Sequence, residues 1–412
     1  MRKAGLILVI IMVCCALGCA KQYTPKPFEE LGVVARAVQQ ADNGLTVSAA
    51  VLNDNEAEHV FGVDLAKIGV QPVWVEVKNE TDQQQFFLTI SLDQDYYSVS
   101  EVWWKTRYEK DSEASSRMSA LFTELHMPND ILPRSTVSGF VFVPIHFGSV
   151  RTVNVDILGQ VTTSFTFYLP IPGFTADHSL VDLDRTYTPE EFVQCKTLHE
   201  LKEQIEKLPR CTTDESGKKE GDPLNIVVIS PRSIAWKAAI RRGWHETEPI
   251  TLSSSMKTIN AFWAHKEYKT SPFSSLYVFG RPQDLGLQKA RETIHERNHL
   301  RIWLAPIRYK DQDVWVGAIS RDIGVKMTSK TWTLTTHEID GNVDEARSYL
   351  VQDMGYSQTM EALALAKGVG EVPKESPRLN LTDSQWYTDG LRAVLFLSGE
   401  DKALDEIRIL DW

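Results

Sequence analysis

The segment Arg297–Trp303, RNHLRIW, puts two arginines and a histidine at alternate positions. On a strand, Arg297, His299, Arg301 and Trp303 share one face, while Asn298, Leu300 and Ile302 share the other. Two guanidiniums flanking an imidazole suit an anion. Each arginine offers a planar fork for two oxygens of a phosphate or carboxylate, and the histidine adds a donor or a proton carrier. The bland alternative is the solvent face of a half-buried sheet whose arginines pair with structural acids. A second concentration of ionisable groups is THEIDGNVDEAR, residues 336–347. The preceding TWTLTTHEI alternates, so His337 stands near the end of a strand. Asn342 followed by Glu345 matches an N-cap and its reciprocal acid, and Asp344 and Glu345 fall in a first helical turn, where acids suit the helix dipole. That leaves His337 and Asp340 as candidates for chemistry.

Asp322 follows the apolar run VWVGAIS, and Asp389 lies in YTDG; carboxylates at such places line pockets or close turns. The candidate ligand-binding or catalytic set is therefore Arg297, His299, Arg301, Asp322, His337 and Asp340. Two histidines with a carboxylate on separate strands suit zinc or iron. However, the chain has no HxH spacing, no GxSxG and no glycine-rich phosphate loop, and although HERNH at residues 295–299 spells HExxH, on a strand its two histidines stand about 13 Å apart, too far to share a metal. No metal or cofactor is expected on this pattern. His245 and His265 have no companions at useful spacing, and His295 has only His299.

The elements that must position these residues follow from length and patterning. A chain of 412 residues exceeds what one core usually serves, so two domains are expected. Short alternating runs (GLTVSAAVLN, QPVWVEVKNE, QQFFLTI, VSGFVFVPI, VRTVNVDILG and TSFTFYLPI) predict an all-β immunoglobulin-like sandwich over residues 31–175. One helix, Ser116–Met127, interrupts it, and LDQDYYSVSEVWW reads as a strand-edge loop packed by its aromatics. Residues 176–220 read as a helical connector, opened by a capping pattern at Thr188, Pro189 and Glu191. Residues 221–412 alternate strand runs with occasional helices, including one over Pro231–Trp244, which predicts an α+β mixed-sheet domain.

The N-terminus reads MRKAGLILVIIMVCCALGC. Arg2 and Lys3 precede an apolar core too short to span a bilayer, and Ala16-Leu17-Gly18-Cys19 is a small-residue processing site. The pattern is similar to a bacterial lipoprotein signal over residues 1–18, with Cys19 lipidated; an ordinary cleaved signal or an uncleaved anchor are the alternatives. Residues 19–30 then form a polar, proline-containing tether. The expected location is the cell envelope, lipid-anchored, and the outer membrane facing the periplasm if the host is Gram-negative. Cys195 and Cys211, outside the leader, are expected either to pair as a disulfide, which requires the chain to fold back after Pro209, or to be two buried thiols. A formal charge of -11 argues against a general nucleic-acid binder.

The blocks GDPLNIVVIS, YVFGRPQD, RNHLRIW, VWVGAISRDIGV, THEIDGNVDEAR and YTDG, in this order from Gly221 to about Leu397, resemble the LssY C-terminal domain family. That resemblance implies a domain found alone or attached to membrane segments similar to DedA and phosphatidic-acid-phosphatase-like proteins. It names a family without naming a reaction. The membrane-fused members differ from this chain, in which no run after the leader approaches the roughly 20 apolar residues of a span. Two functions are therefore expected: binding of an anionic small ligand or an envelope protein partner, or hydrolysis of a phosphate- or lipid-related substrate with His299 or His337 as acid/base. The anchor has its own check: Cys19→Ser should move the protein from the membrane to the soluble fraction on ultracentrifugation, and continued sedimentation with membranes rejects lipidation.

Overall fold

The computed structural model describes residues 23–108, 111–174, 176–247, 274–290, 297–327 and 335–412. The leader and Cys19 lie outside the described residues, as do His265, His295 and all of TWTL. The described chain is mostly β-sheet, with several sheets and six α-helices, in two compact units. No described helix is long and apolar enough to cross a membrane.

In the first unit, β1 (Val38–Asp42), β2 (Leu45–Val51), β3 (Val70–Asn79) and β6 (Thr136–Pro144) form one sheet in that order. The strands β5 (Asp130–Ile131), β4 (Gln85–Leu88), β7 (Val150–Leu158) and β8 (Thr163–Pro170) form another. Alternation decides what each strand buries: Val47, Val75 and Val141 of the first sheet meet Phe87, Val155 and Phe167 of the second in one core. A second core lies outside the first sheet, where Trp74, Phe140 and Phe142 pack under α1 (Asp54–Phe61), α2 (Val99–Thr106) and α3 (Ser112–Glu124).

Three expectations change here. LDQDYYSVSEVWW is not a loop throughout: Ser98 and Glu101 form a reciprocal cap that starts α2. The helix expected at Ser116 begins at Ser112, because the Asp111 carboxylate accepts from Ala114 N–H at 2.9 Å. The tether does not extend through residue 30. Tyr23 is buried in the core beneath α1 and α3, and Phe28 packs edge-on against Phe140 with ring centroids 5.1 Å apart. Two aromatic rings carry enough apolar area to draw an otherwise polar segment into the fold.

The second unit is organised by a ten-stranded mixed sheet. Its strands are β9 (Val193–Cys195), β12 (Ile226–Ser230), β13 (His245–Glu246), β16 (Leu285–Ala290), β17 (Arg297–Tyr309), β18 (Gln312–Met327), β19 (Thr335–Ile339), β20 (Met360–Ala366), β23 (Arg392–Leu397) and β24 (Arg408–Ile409). The main order is β13-β16-β17-β18-β12-β23-β20-β24, with β19 on β18 and β9 on β17. A smaller sheet joins β10 (Cys211–Thr213), β11 (Glu220–Pro223), β14 (Tyr277–Val278) and β15 (Arg281–Pro282), and β21 (Arg378–Leu379) pairs with β22 (Gln385–Trp386). Both faces of the main sheet are covered. Trp303, Ile307, Val316 and Val394 pack towards α4 (Leu198–Glu206), whereas Leu300, Ile302, Trp315 and Leu395 pack towards α5 (Lys237–Arg241) and α6 (Val343–Gly355).

The connector is less helical than expected. Thr188 N–H donates to Glu191 at 2.7 Å, but only a 3₁₀ turn follows, because Val193–Cys195 pairs in parallel with the end of β17. The helix waits for a second cap at Thr197 and Glu200. The helix expected over Pro231–Trp244 shortens to α5, since Arg232 is drawn into a turn by Asp313 at 2.8 Å. Cys195 and Cys211 are free and buried, so the disulfide expectation is corrected in favour of two thiols. They lie at the two ends of α4 on strands of different sheets.

Arg392 locks this unit together. It is wholly buried, and its guanidinium donates to the carbonyls of Leu224 (2.9 Å), Leu208 (3.0 Å), Pro209 (2.6 Å) and Gly368 (3.2 Å), and to that of Ile205. It thereby satisfies carbonyls beyond the end of α4. Gly368, at φ 134°, is required: a Cβ there would lie 2.9 Å from the guanidinium. Arg392→Leu leaves these carbonyls buried and unpaired, and should lower unfolding free energy by roughly 3 kcal/mol; an unchanged urea midpoint rejects this role.

Candidate functional site

The basic stripe of β17 is real, but it faces inward. β17 and β18 pair antiparallel with His299 opposite Ser320 and Arg301 opposite Ala318, and the last pair is Asn298 with Arg321. One step further, Asp322 comes opposite Arg297. An irregularity between Asp322 and Gly324 then shifts the pairing with β19, where Val325 stands opposite His337. Three neighbouring strands therefore aim side chains at one point on the face shared with Trp303.

That point is Asp322 Oδ2. Arg297 Nε lies 3.6 Å away, His299 Nε2 3.4 Å and His337 Nδ1 3.3 Å. Asp322 is only 1% exposed, and Arg297, His299 and Arg301 are buried too. His337 is the outermost group, its side chain 26% exposed. Gln288 on β16, opposite His299, accepts from Arg297 Nη1 at 2.6 Å, and Arg301 Nη2 donates to the Ser274 carbonyl at 3.4 Å.

Electrostatics follow from burial. Loss of solvent pushes the Asp322 carboxyl up to about 7, although Arg297 and Arg301 pull it back. Burial, and then the neighbouring Arg297, Arg301 and His337, hold His299 well below its ordinary range, so it is neutral at physiological pH. Burial holds Arg301 below its ordinary value, while Asp222, Asp322 and Asp177 oppose that shift and Arg297 adds to it. Asp222 accepts from Asn380 Nδ2 at 2.9 Å, and Asp177, pushed up to about 6 chiefly by burial, accepts from Thr247 Oγ1 at 2.6 Å.

Of the six candidates, Arg297, His299, Asp322 and His337 meet directly, and Arg301 lies on the same face. Asp340 does not join them: its carboxylate accepts from Asn342 N–H at 2.9 Å and closes the turn before α6. Asn342 makes no side-chain cap. Asp344 does more than favour a dipole, accepting from Thr388 Oγ1 at 2.6 Å and Asp389 N–H at 2.7 Å, while Arg347 grips Asp389 through two bonds of 2.8 and 2.7 Å. Those acids build structure. Gln288, Asp222, Asn380 and Asp177 are members that spacing did not reveal; Gln288 alone could have been found, by aligning LGLQKA against RNHLRIW as a hairpin.

Among the described residues, no group of three or more histidine, cysteine, aspartate or glutamate side chains is arranged to hold a metal ion. Two surface cavities, of about 480 Å³ beside α6 and about 840 Å³ beside α3, are lined by none of the cluster. The cluster works as a buried polar network, with His337 towards solvent.

Residues 204–391 match the family described as LssY C-terminus. This part of the protein is an LssY-like C-terminal domain, and the matched span holds Arg297, His299, Arg301, Asp322 and His337. No curated protein matches the chain.

The pH dependence of stability has a defined sign. Folded Asp322 keeps its proton up to about 7, against 3.8 ordinarily, so its contribution falls as pH rises through that window. His299 acts oppositely, because its depressed value costs stability as pH falls below its ordinary 6.5. Asp322→Asn removes the first effect alone. Its stability relative to the native protein should climb between pH 5 and about 7 and then level; a difference independent of pH in urea titrations contradicts the assignment.

Proposed function

We propose that the LssY-like domain binds an anionic ligand through Arg297 and Arg301, with His299, Asp322 and His337 completing the site. The observation that carries this reading is the convergence of Arg297, His299 and His337 on a single buried carboxylate oxygen, at 3.3–3.6 Å. A binding site for a carboxylate or phosphate needs just such a surround. The protein as a whole is a bacterial envelope lipoprotein, tethered to a membrane by lipid on Cys19, and the ligand is a small anion or the anionic group of an envelope partner. The shared core of the first unit's two sheets supports an immunoglobulin-like sandwich acting as spacer or docking module, and the mixed sheet with helices on its faces supports an α+β class for the second.

A second reading is favoured by one further feature. His299 Nε2 and His337 Nδ1 stand 3.4 and 3.3 Å from Asp322 Oδ2, and the carboxyl titrates near neutrality, as suits an acid/base catalyst. Hydrolysis of a phosphate- or lipid-related substrate would then use the arginines to stabilise developing negative charge. Calorimetry of the full-length protein with inorganic phosphate tests the binding reading. Arg301→Gln should weaken binding about 10- to 150-fold, corresponding to the roughly 1.5–3 kcal/mol of a charge-assisted bond. Absence of phosphate binding by the native protein rejects it. Release of nitrophenolate from p-nitrophenyl phosphate, lost in His337→Gln, would select the hydrolase.

A further inference from the structure

A carboxylate already occupies the position that an anionic ligand needs. Asp322 Oδ2 is the common neighbour of Arg297, His299 and His337, on a face where two guanidiniums, Arg297 and Arg301, stand against two carboxylates, Asp322 and Asp222. Among the described residues, β17 brings Arg297, His299 and Arg301 to this balance, β19 brings His337, and β11 brings Asp222. Asp177 adds a more distant acid that acts on Arg301. Another negative charge at Arg297 would leave the buried face with excess anion, which a low-dielectric interior does not tolerate. Moving Arg297 away from Asp322 would in turn strand an ionised carboxylate that is 1% exposed. Both penalties vanish if Asp322 takes a proton as the anion arrives.

We infer that Asp322 is the resident counter-ion of the site, and that an anion binds only together with a proton, which enters past His337 and is held on the Asp322 carboxyl. The proton comes from solvent, and the arriving anion replaces Asp322 as the partner of Arg297. No covalent bond is made or broken. The route is set by exposure: His337, 26% exposed, is the only one of the three groups around Oδ2 with substantial access to water, and it contacts that oxygen at 3.3 Å. This inference rests on the anion-binding reading above. It adds that the ligand affinity is a function of pH, and it assigns the proton to a carboxyl rather than to an imidazole.

Sulfate is the probe, because it does not titrate between pH 6 and 9. Its affinity for the full-length protein should weaken about tenfold per pH unit above the Asp322 midpoint, as uptake of one proton demands. Calorimetry at pH 8 in two buffers of different ionisation enthalpy should show one proton taken up per sulfate. Asp322→Asn should bind sulfate with a flat pH profile and no uptake, while His337→Gln should keep both the slope and the stoichiometry. Tight, pH-independent sulfate binding by the native protein overturns the proton coupling but leaves the anion site standing. A slope that survives in Asp322→Asn and is lost in His337→Gln overturns the assignment to Asp322. Failure of the native protein to bind sulfate at any pH overturns the underlying reading, and this inference with it. The buffer comparison needs no variant, so it decides the matter even if Asp322→Asn does not fold.

Discussion

The structure of the second unit turns on the cost of keeping Asp322 out of water. An isolated buried carboxylate is among the least tolerable groups in a protein interior, and only close partners make it acceptable. Here those partners come from separate strands, so the register of three strands and the placement of one charge are a single constraint. A slip of one residue on β17 would turn Arg297, His299 and Arg301 to the opposite face and bring Leu300 and Ile302 towards the acid. The irregularity between Asp322 and Gly324 lets β19 deliver His337 to the same oxygen. A buried ion pair is nonetheless weak evidence of stabilisation, since apolar residues of similar volume commonly do as well. What it does supply is a unique alignment of strands.

The stripe was legible in RNHLRIW because a period of two is visible wherever one face is chemically marked, even when both faces are buried. Its inward direction was not legible. Alternating charge normally signals solvent, and only the layer formed by α4 and the strands beyond Trp303 shows that this face continues a core. Asp322 and His337 were recognisable as candidates from their positions at strand ends, but their meeting depends on long-range pairing and a local irregularity, neither of which residue types encode. The same limit explains the helices. Thr188 carries a sound capping pattern, yet pairing of Val193–Cys195 with β17 overrides it; the proline at 231 opens a turn because Arg232 has tertiary partners. Tyr23 and Phe28 hid in a segment whose composition suggested a tether.

The acids of THEIDGNVDEAR show how similar residues divide between building and chemistry. Asp340 and Asp344, and their neighbour Asp389 from YTDG, are each satisfied by backbone N–H groups, a hydroxyl or Arg347, in the ordinary manner of turns and helix starts. Asp322 differs in kind. Its near neighbours are cations and imidazoles, and its carboxyl sits near the midpoint of titration at neutral pH. A carboxylate held by N–H donors is stabilised in its charged form and is chemically quiet. One held by desolvation against two arginines can change charge at little cost.

Arg392 provides the contrast that makes this argument specific to the site. It is as deeply buried as Arg297, but its guanidinium is engaged by carbonyls, neutral acceptors that neither titrate nor leave. Burial of an arginine alone therefore marks nothing beyond architecture. At Arg297 the partner is a carboxylate that can be neutralised by a proton, and beside it lies an imidazole with access to water. Where the counter-charge of a buried arginine is itself removable, the arginine can serve an external anion without its own environment being rebuilt, and this distinguishes the cluster on β17–β19 from the clamp at the end of α4.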